Sequence, residues 1–185
     1  MAAIPFDTTG TEREHCPDGG WDAVLEWGFA DRNEGRIPDA ASALEIVVSK
    51  AFQGRGLSVR LLAAMRAAVC AAGIRTLVAP VRPNAKHLEP RTPMRSYLAR
   101  VREDGLPVDP WLRVHVRSGG RIVRVAPASM VVAGPLAQWR AWTGLPFDVD
   151  GDVEVPDALV PVHADLTRDH AVYVEPHVWV RHDLA

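Results

Sequence analysis

The sequence predicts an α/β fold whose mixed, twisted sheet is flanked by helices, and three consecutive segments carry this prediction. Residues 43–48 form an apolar run enriched in β-branched side chains, which is typical of a buried strand. Residues 57–72 place apolar side chains at helical spacing, and Gly73 stands where a helix would stop. Residues 74–79 form a second strand candidate. This order indicates a parallel pair of strands.

The remaining elements complete a single domain, residues 1–185, without internal repeats. Residues 7–20 have the composition of a loop. Asp109 and Pro110 mark a helix start, because Asp is a favoured N-cap and Pro is tolerated at the first helical position. The other predicted elements are a helix at 21–29, a loop-rich insertion at 80–108 with a short helix at 94–101, the end of the Asp109 helix at 119–120, strands at 121–125 and 130–133, a helix at 135–143, and strand candidates at 153–155, 159–162 and 171–174.

Composition and charge exclude several classes of protein. The chain has 48% hydrophobic and 24% charged residues, a formal net charge of −2 and a pI near 6.4. It offers no broad cationic surface, so we expect neither a nucleic-acid partner nor an anionic membrane partner. Cys16 and Cys70 are too few for a disulfide framework, and no metal site is expected. The absence of a signal-like N-terminus and of eighteen consecutive apolar residues favours a cytoplasmic protein.

The loop between the first strand and the long helix carries the clearest chemical signal. Gln53-Gly54-Arg55-Gly56 precedes a helix N-terminus, where free backbone N–H groups and the positive end of the helix dipole bind phosphate. The two glycines permit positive φ and close approach, and Arg55 adds a cation at the rim. The loop has neither the Gly-Lys-Ser/Thr ending of triphosphate loops nor the Gly-x-Gly-x-x-Gly of dinucleotide folds. A glycine-rich turn without a ligand is the alternative.

This pattern resembles the acyl-CoA loop of the GCN5-related N-acetyltransferase (GNAT) superfamily: Arg or Gln, two residues, Gly, any residue, then Gly or Ala. Gln53, Gly56 and Ser58 stand at those positions, and Ser58 is small but departs from the usual pair. The resemblance implies acetyl-CoA or another acyl-CoA as co-substrate, with its diphosphate on the loop and its pantetheine arm on the preceding strand. The implied cofactor-binding residues are Val47, Val48, Gln53, Gly54, Arg55, Gly56, Leu57 and Ser58.

A second correspondence with the superfamily follows at residues 115–125. Its members commonly close a helix with Tyr, three residues and Gly-Phe before a strand. In this sequence His115 stands where the Tyr usually stands, and Gly120 replaces the Phe. Three phrases also look like those of a bacterial GNAT subgroup of unknown substrate: residues 79–84, 104–111 and 173–176.

The resemblance also implies that the parallel pair of strands splays beside the loop, and it divides the chain. Residues 43–133 would form the CoA-binding core, with an insertion at 85–108 that shapes an acceptor pocket. Residues 134–185 would be a C-terminal extension. Residues 1–42 are fewer than superfamily members usually have before this core, so we expect shortened N-terminal elements.

In the GNAT reaction the acceptor amine attacks the thioester directly in a ternary complex, so the site must handle protons. Glu45, a carboxylate inside an apolar strand, is the candidate base because burial raises the pKa of a carboxyl group. The alternative is a residue that faces solvent or pairs with an arginine. Glu175 is a second candidate. His115 is the candidate acid for the departing thiolate, since imidazole donates near neutral pH, and a surface or packing residue is the alternative.

Other imidazole and indole side chains give weaker signals. Four histidines match no familiar metal spacing and are interpreted as scattered surface residues: His163, His170, His177 and His182. Four tryptophans are assigned to core packing rather than to an acceptor pocket: Trp111, Trp139, Trp142 and Trp179.

The sequence therefore predicts an N-acetyltransferase that acts on a small-molecule amine, with a homodimer as one arrangement. Two alternatives stay open. One is a catalytically degenerate GNAT-fold module that binds acyl-CoA without turnover, and the other is a structural domain that binds no acyl-CoA.

Overall fold

The computed structural model describes residues 1–184, which form a seven-stranded mixed sheet packed by helices. The predicted α/β class is confirmed. The elements are β1 (Ala2–Phe6), α1 (Gly20–Glu34), β2 (Ala40–Glu45), α2 (Leu57–Ala71), β3 (Thr76–Val81), α3 (Met94–Leu98), α4 (Pro110–Arg117), β4 (Arg121–Pro135), α5 (Leu136–Thr143), β5 (Gly151–Val153), β6 (Val162–Asp165) and β7 (His170–Asp183). Three short 3-10 helices add Glu12–His15, Lys50–Phe52 and Lys86–Leu88.

Strand β7 organises the sheet, whose order is β1-β2-β3-β7-β6-β5 with β4 also on β7. Strand β7 pairs with β3 through residues 178–183 and with β6 through residues 170–172. Strand β4 pairs along both stretches, so β3 and β6 must share the other edge of β7. Residues 173–177 lie between them and have no ladder partner on that edge. The middle of β7 therefore faces a gap in the sheet.

The parallel pair β2 and β3 separates toward its carboxyl ends. The two strands are in register only through residues 40–42 and 76–78. Strand β2 nevertheless continues to Glu45 and β3 to Val81. The predicted splay is confirmed. Ligands in open α/β sheets bind beyond the carboxyl ends of strands at such a separation.

Helix α2 forms as the apolar stripe predicts. Its buried side chains, Leu62, Met65 and Val69, follow one another at three- and four-residue steps. Met65 and Val69 pack in the same cluster as Leu77 of β3, which fixes the helix against the sheet. The orientation of its N-terminus is thus set by a packed face.

Helix α4 begins at the predicted N-cap. The Asp109 Oδ1 atom accepts hydrogen bonds from the backbone N–H groups of Trp111 at 2.9 Å and Leu112 at 3.0 Å. Its Oδ2 atom accepts the Tyr97 hydroxyl at 2.8 Å and the Ala85 N–H at 3.0 Å. One carboxylate therefore caps α4 and ties the insertion to it.

Strand β2 begins and ends three residues before the predicted strand. The prediction covered residues 43–48, whereas β2 spans Ala40–Glu45 and is most buried at its start. Residues 46–48 leave the sheet, and Val47 is 64% exposed. An apolar run does not show where pairing stops. Here the register with β1, from Ala2 to Phe6, sets the limits.

The N-terminal residues form a strand and a helix, of which the sequence pattern predicts only the helix. Strand β1 contains Pro5, which lowers strand propensity, but β1 is an edge strand, where a missing N–H is tolerated. The predicted helix at 21–29 extends to Glu34 in α1. A Cβ on Gly28 would lie 2.3 Å from Ile4 Cδ1, so this glycine permits close packing of α1 on β1.

The two longest strands were predicted as fragments. Residues 121–125 and 130–133 belong to one strand, β4, which bulges between Ala126 and Met130. Strand β7 is far longer than the predicted 171–174. Pro176 lies opposite the bulge, where its missing N–H breaks no ladder bond.

The C-terminal part packs a second cluster around α5. The predicted helix at 135–143 is confirmed, and the Trp139 Nε1 atom donates to the Ala171 carbonyl at 2.9 Å. The predicted strands at 153–155 and 159–162 are displaced by two or three residues, to β5 and β6.

Lys86 joins the insertion to the C-terminal part. Its side chain is fully buried, and its Nζ atom donates to the carbonyls of Glu89 at 2.8 Å, Pro90 at 3.2 Å and Leu159 at 2.7 Å. These bonds use all three donors of the ammonium group. Burial lowers the pKa of Lys86, and the Glu89 carboxylate opposes this effect.

We expect Lys86→Met to lower the free energy of unfolding by about 2–4 kcal/mol, because three carbonyls lose the buried donor that they share. Urea denaturation followed by circular dichroism measures this loss. The matched control is Lys50→Met, since Lys50 is exposed and should change stability little. Similar small losses in both variants would contradict the anchoring role.

Candidate functional site

Helix α2 begins with backbone N–H groups that no side chain caps, within the described part of the chain. Its N-cap is Gly56, with a φ of 67°, and its first turn holds no acidic residue. Gly54 has a φ of 76°, and a Cβ on either glycine would meet nothing within 4 Å. The turn presents free donors, a positive dipole end and open space. This combination fits a phosphate group.

These N–H groups open onto a cleft of about 560 Å³, called the loop cleft. Seven of the eight predicted cofactor-binding residues line it. The exception is Arg55, whose guanidinium carbon lies 5.3 Å from the centre of the Phe52 ring. The Gln53 Nε2 atom donates to the Val48 carbonyl at 3.2 Å and so closes the loop onto the segment that follows β2. The lining is Ile46, Val47, Val48, Phe52, Gln53, Gly54, Gly56, Leu57, Ser58, Asn84 and Trp111.

The segment that forms the loop cleft has an unusual charge. Residues 46–88 contain seven Lys and Arg residues and no Asp or Glu, although the whole chain carries −2. Lys50, Arg55 and Arg60 lie in the loop and in the first turn of α2. A polyanion in this cleft therefore meets cations from its own segment and no carboxylate.

A second cleft, of about 360 Å³, lies between the diverging ends of β2 and β3 and is called the central cleft. It shares Ile46, Asn84 and Trp111 with the loop cleft, so the two are adjacent. Its other lining residues are Trp21, Ala43, Leu44, Glu45, Ala79, Pro80, Val81, Arg82, Met130, His115, Glu175 and His177.

Glu45 lies in the central cleft but is exposed, so the prediction that it is buried is wrong. Strand β2 ends at this residue, and the carboxylate stands at the open end of the sheet. Within residues 1–184 it makes no hydrogen bond or ion pair. Glu45 is thus a free carboxylate at the cleft.

His115 is buried on α4, with 2% of its surface exposed, and packs edge-on against Trp111 at 4.6 Å between ring centres. Its Nδ1 atom lies 3.0 Å from His182 Nε2. Burial, followed by the charge of His182, lowers the pKa of His115 to about 3. An imidazole with this pKa is neutral at pH 7, so His115 lacks the second ring proton that the predicted acid would donate to the thiolate.

His182 is fully buried beside Gly120, which contradicts its interpretation as a surface histidine. A Cβ on Gly120 would lie 2.7 Å from His182 Cε1, so glycine at this position makes room for the imidazole pair. Burial, followed by Arg66, lowers the pKa of His182 to about 4. Its Nδ1 atom has no hydrogen-bond partner within the described residues.

Glu175 lies in the unpaired stretch of β7, and its buried carboxylate is held on both oxygens. Arg82 Nε at 2.9 Å and His177 Nε2 at 2.7 Å donate to Oε1, and the Tyr173 hydroxyl donates to Oε2. Burial alone would raise the pKa of Glu175, but the bonds from His177 and Tyr173 and the charge of Arg82 lower it. Glu175 is an ionised, saturated carboxylate, which does not suit the predicted second role as base.

His177 continues this network to Ser129, which lies in the bulge of β4. The Ser129 Oγ atom is 2.7 Å from His177 Nδ1 and accepts the Trp21 backbone N–H at 2.8 Å. Ser129 is fully buried, and a Cβ on Gly20 would lie 2.0 Å from its Oγ. Ser129, His177 and Glu175 therefore form a structural chain, not a nucleophilic triad. The surface interpretation of His177 is wrong, whereas His163 and His170 are exposed as predicted.

Sequence reasoning missed Arg82, Asn84 and His177 as cleft residues. Arg82 meets Glu175 across 93 residues, and no local pattern predicts such a contact. A signal was nevertheless present, because Arg82 and Asn84 lie in one of the family-like phrases, residues 79–84. Trp111 lies in another and lines both clefts.

The other predictions about side chains have mixed outcomes. Trp139 and Trp179 are buried, as predicted, but Trp142 is 54% exposed.

Among residues 1–184, no group of three or more His, Cys, Asp or Glu side chains is arranged to hold a metal ion. No helix in the described chain has the length and apolar character needed to cross a membrane.

Comparison with known proteins finds similarity both in sequence and in structure. No family model matches the chain. An arginine N-acetyltransferase, avaD of Aspergillus versicolor, is 38% identical over 189 residues, which cover 91% of this chain and 65% of that protein. This chain thus spans slightly less than two thirds of the relative's length.

The structural relatives are GNAT-like domains. The loading GNATL domain of CurA from Lyngbya majuscula superposes with a TM-score of 0.60 at 18% identity, covering 98% of this chain and 68% of that one. The GphF GNAT-like decarboxylase, in complex with isobutyryl-CoA, gives a TM-score of 0.53 at 16% identity, covering 99% and 70%. A sheet whose parallel strands splay beside an uncapped, glycine-opened helix is thus a GNAT fold. The chain therefore has a GNAT-like fold, and it is similar in sequence to an arginine N-acetyltransferase. The bacterial subgroup stays a prediction.

The buried imidazoles predict a pH dependence of stability. Both folded pKa values lie below the ordinary 6.5, so the unfolded chain binds more protons between pH 6.5 and 4. Stability is therefore present above pH 6.5 and falls as the pH drops. From pH 7 to 5 we expect a loss of about 2 kcal/mol for each imidazole.

Urea denaturation at both pH values tests this expectation with His182→Gln, which should lose about 2 kcal/mol of the pH dependence. The exposed His163 supplies the control, and His163→Gln should keep the full dependence. Equal pH dependence in the two variants would show that the buried pair is not responsible.

Proposed function

We propose that this protein transfers an acyl group, most simply acetyl, from acyl-CoA to an amine. The observation that carries the proposal is the junction of the two clefts at Ile46, Asn84 and Trp111. One cleft has the donors for a diphosphate, and the other has room and charge for a small acceptor. The thioester of an acyl-CoA bound at the junction would be accessible from both clefts.

The loop cleft would hold the CoA portion. The N–H groups of Gly54 to Ser58 would donate to the diphosphate, and the cations of the segment would balance its charge. Residues 46–48 leave the sheet, so their backbone has no strand partner and could pair with the amides of the pantetheine arm; the Val48 carbonyl, however, already accepts the Gln53 side chain. The isobutyryl-CoA complex of the GphF domain supports an acyl-CoA in this fold.

The central cleft would hold the acceptor amine. In the ternary complex the amine nitrogen attacks the thioester carbonyl carbon, a C–N bond forms, the C–S bond breaks and CoA leaves as the thiolate. Glu45 would take the proton from the amine, because its carboxylate is free and lies in the cleft. The neutral His115 would act only as a packing and hydrogen-bonding group. The name of the avaD relative makes free arginine the first acceptor to test.

Two earlier expectations remain predictions that no contact in the molecule addresses. They are the homodimer and the cytoplasmic location.

We expect Gly56→Glu to abolish acyl-CoA binding, since the new carboxylate would stand against the diphosphate. Isothermal titration calorimetry with CoA measures the affinity. The matched control is Gly73→Glu at the other end of α2. Gly73 also has positive φ, at 82°, and open space around it, so the backbone strain is similar without the phosphate site. Retained affinity in Gly56→Glu would overturn the cofactor site.

We expect Glu45→Gln to lower kcat by about 10²–10⁴-fold and to leave the Kd for CoA unchanged, because the variant loses only the proton acceptor. Thiol release from acetyl-CoA with an amine panel that includes arginine measures the rate. Glu26→Gln, at an exposed position on α1 outside both clefts, is the control. CoA binding without turnover on any amine would instead support a binding module, and an unchanged rate in Glu45→Gln would remove the base.

A further inference from the structure

Resting on the proposed function, we propose that Arg82 binds a carboxylate of the acceptor. The acceptors would then be free amino acids rather than simple amines or peptides. Arg82 is held in a fixed position, the carboxylate of Glu45 lies in the same cleft, and the cleft leaves space for a ligand between these two side chains.

Arg82 is fixed in position while part of its guanidinium stays available. Its Nε atom donates to Glu175 at 2.9 Å, and its Nη2 atom donates to the Asp157 carbonyl at 2.6 Å. The side chain is 43% exposed and lines the central cleft. Two of its five N–H donors are engaged by these bonds, which leaves Nη1 without a partner in the described chain. A guanidinium held in this way is preorganised to donate to a planar anion.

The anchor of Arg82 is itself built for rigidity. Glu175 is 2% exposed, and His177 and Tyr173 occupy the oxygen sites that Arg82 leaves. The Leu159 N–H donates to the Tyr173 hydroxyl at 2.9 Å, and this bond fixes the tyrosine that holds Glu175. The network crosses the gap in the sheet at residues 173–177. An arginine that only neutralised Glu175 would not need a partner carboxylate that two further side chains hold in place.

The opposite charge lies in the same cleft. Glu45 ends β2 and Arg82 follows β3, so both stand at the carboxyl ends of two adjacent, diverging strands. They line one cleft of about 360 Å³ and form no ion pair with each other. A ligand that satisfies both groups carries an ammonium for Glu45 and a carboxylate for Arg82. An α-amino acid carries these two charged groups on one carbon atom.

The experiment compares acceptors that differ only in the carboxylate. Arginine is assayed beside argininamide, which keeps the α-amine, and beside agmatine, which lacks the carboxylate; two other amino acids are assayed beside their amides. Thiol release from acetyl-CoA gives kcat and KM. In the wild type we expect kcat/KM for the free acids to exceed that for the amides by about 10–100-fold.

Arg82→Gln should remove this preference. We expect its KM for the free amino acids to rise about 10–100-fold with a smaller change in kcat, and its KM for the amides to stay the same. Arg91→Gln is the matched control, because Arg91 pairs with Glu154 outside both clefts. Since Arg82→Gln leaves Glu175 buried without its cation, the double variant with Glu175→Gln and a thermal melt accompany it. The double variant should fold and should show the same loss of preference.

Two results would overturn the proposal. One is equal kcat/KM for acids and amides in the wild type. The other is an equal loss on both in Arg82→Gln, which a merely structural arginine would produce. In either case turnover of amides or agmatine would leave the acyltransfer function standing. CoA binding without turnover on any acceptor would end both proposals together.

Discussion

The molecule depends on the point at which two parallel strands stop pairing. Strands β2 and β3 share three residue pairs and then diverge. Beyond those pairs the edges that face each other have no partner, although β1 and β7 still pair with the outer edges of the two strands. An unpaired buried backbone is costly, and a ligand with amides of its own can supply the missing bonds. Both clefts, the glycine-opened helix and the carboxylate of Glu45 follow from this separation. The packed face of α2 fixes its distance from the opening.

A second constraint acts on the other side of the opening. The middle of β7 has lost its partner on one edge, and Pro176 faces a bulge in β4. The side chains of this stretch form a closed hydrogen-bond network from Trp21 through Ser129 and His177 to Glu175. In a low-dielectric interior, such a network is stable only when every member is satisfied, and here each polar group has a partner. The chemistry of the site therefore rests on groups that do not themselves react.

The sequence pattern predicts correctly the elements that depend only on neighbouring residues. The long helix, the glycine loop and the Asp109 cap follow from spacing and capping, and each stands where it was expected. The limits of β2 follow from its pairing with β1, which an apolar run does not encode, and so the expected burial of Glu45 was wrong. The contact of Arg82 with Glu175 joins segments 93 residues apart, and only the folded sheet brings them together.

The forty-three consecutive residues without a carboxylate have a consequence for encounter as well as for affinity. Around a chain that is slightly anionic overall, this segment maintains a local positive potential at the mouth of the loop cleft. A multiply charged anion would be drawn toward the mouth over about one Debye length, near 8 Å in physiological salt, before any contact forms. Neutral or zwitterionic molecules would not feel this pull. Electrostatic attraction would therefore favour binding of the anionic co-substrate before binding of the acceptor.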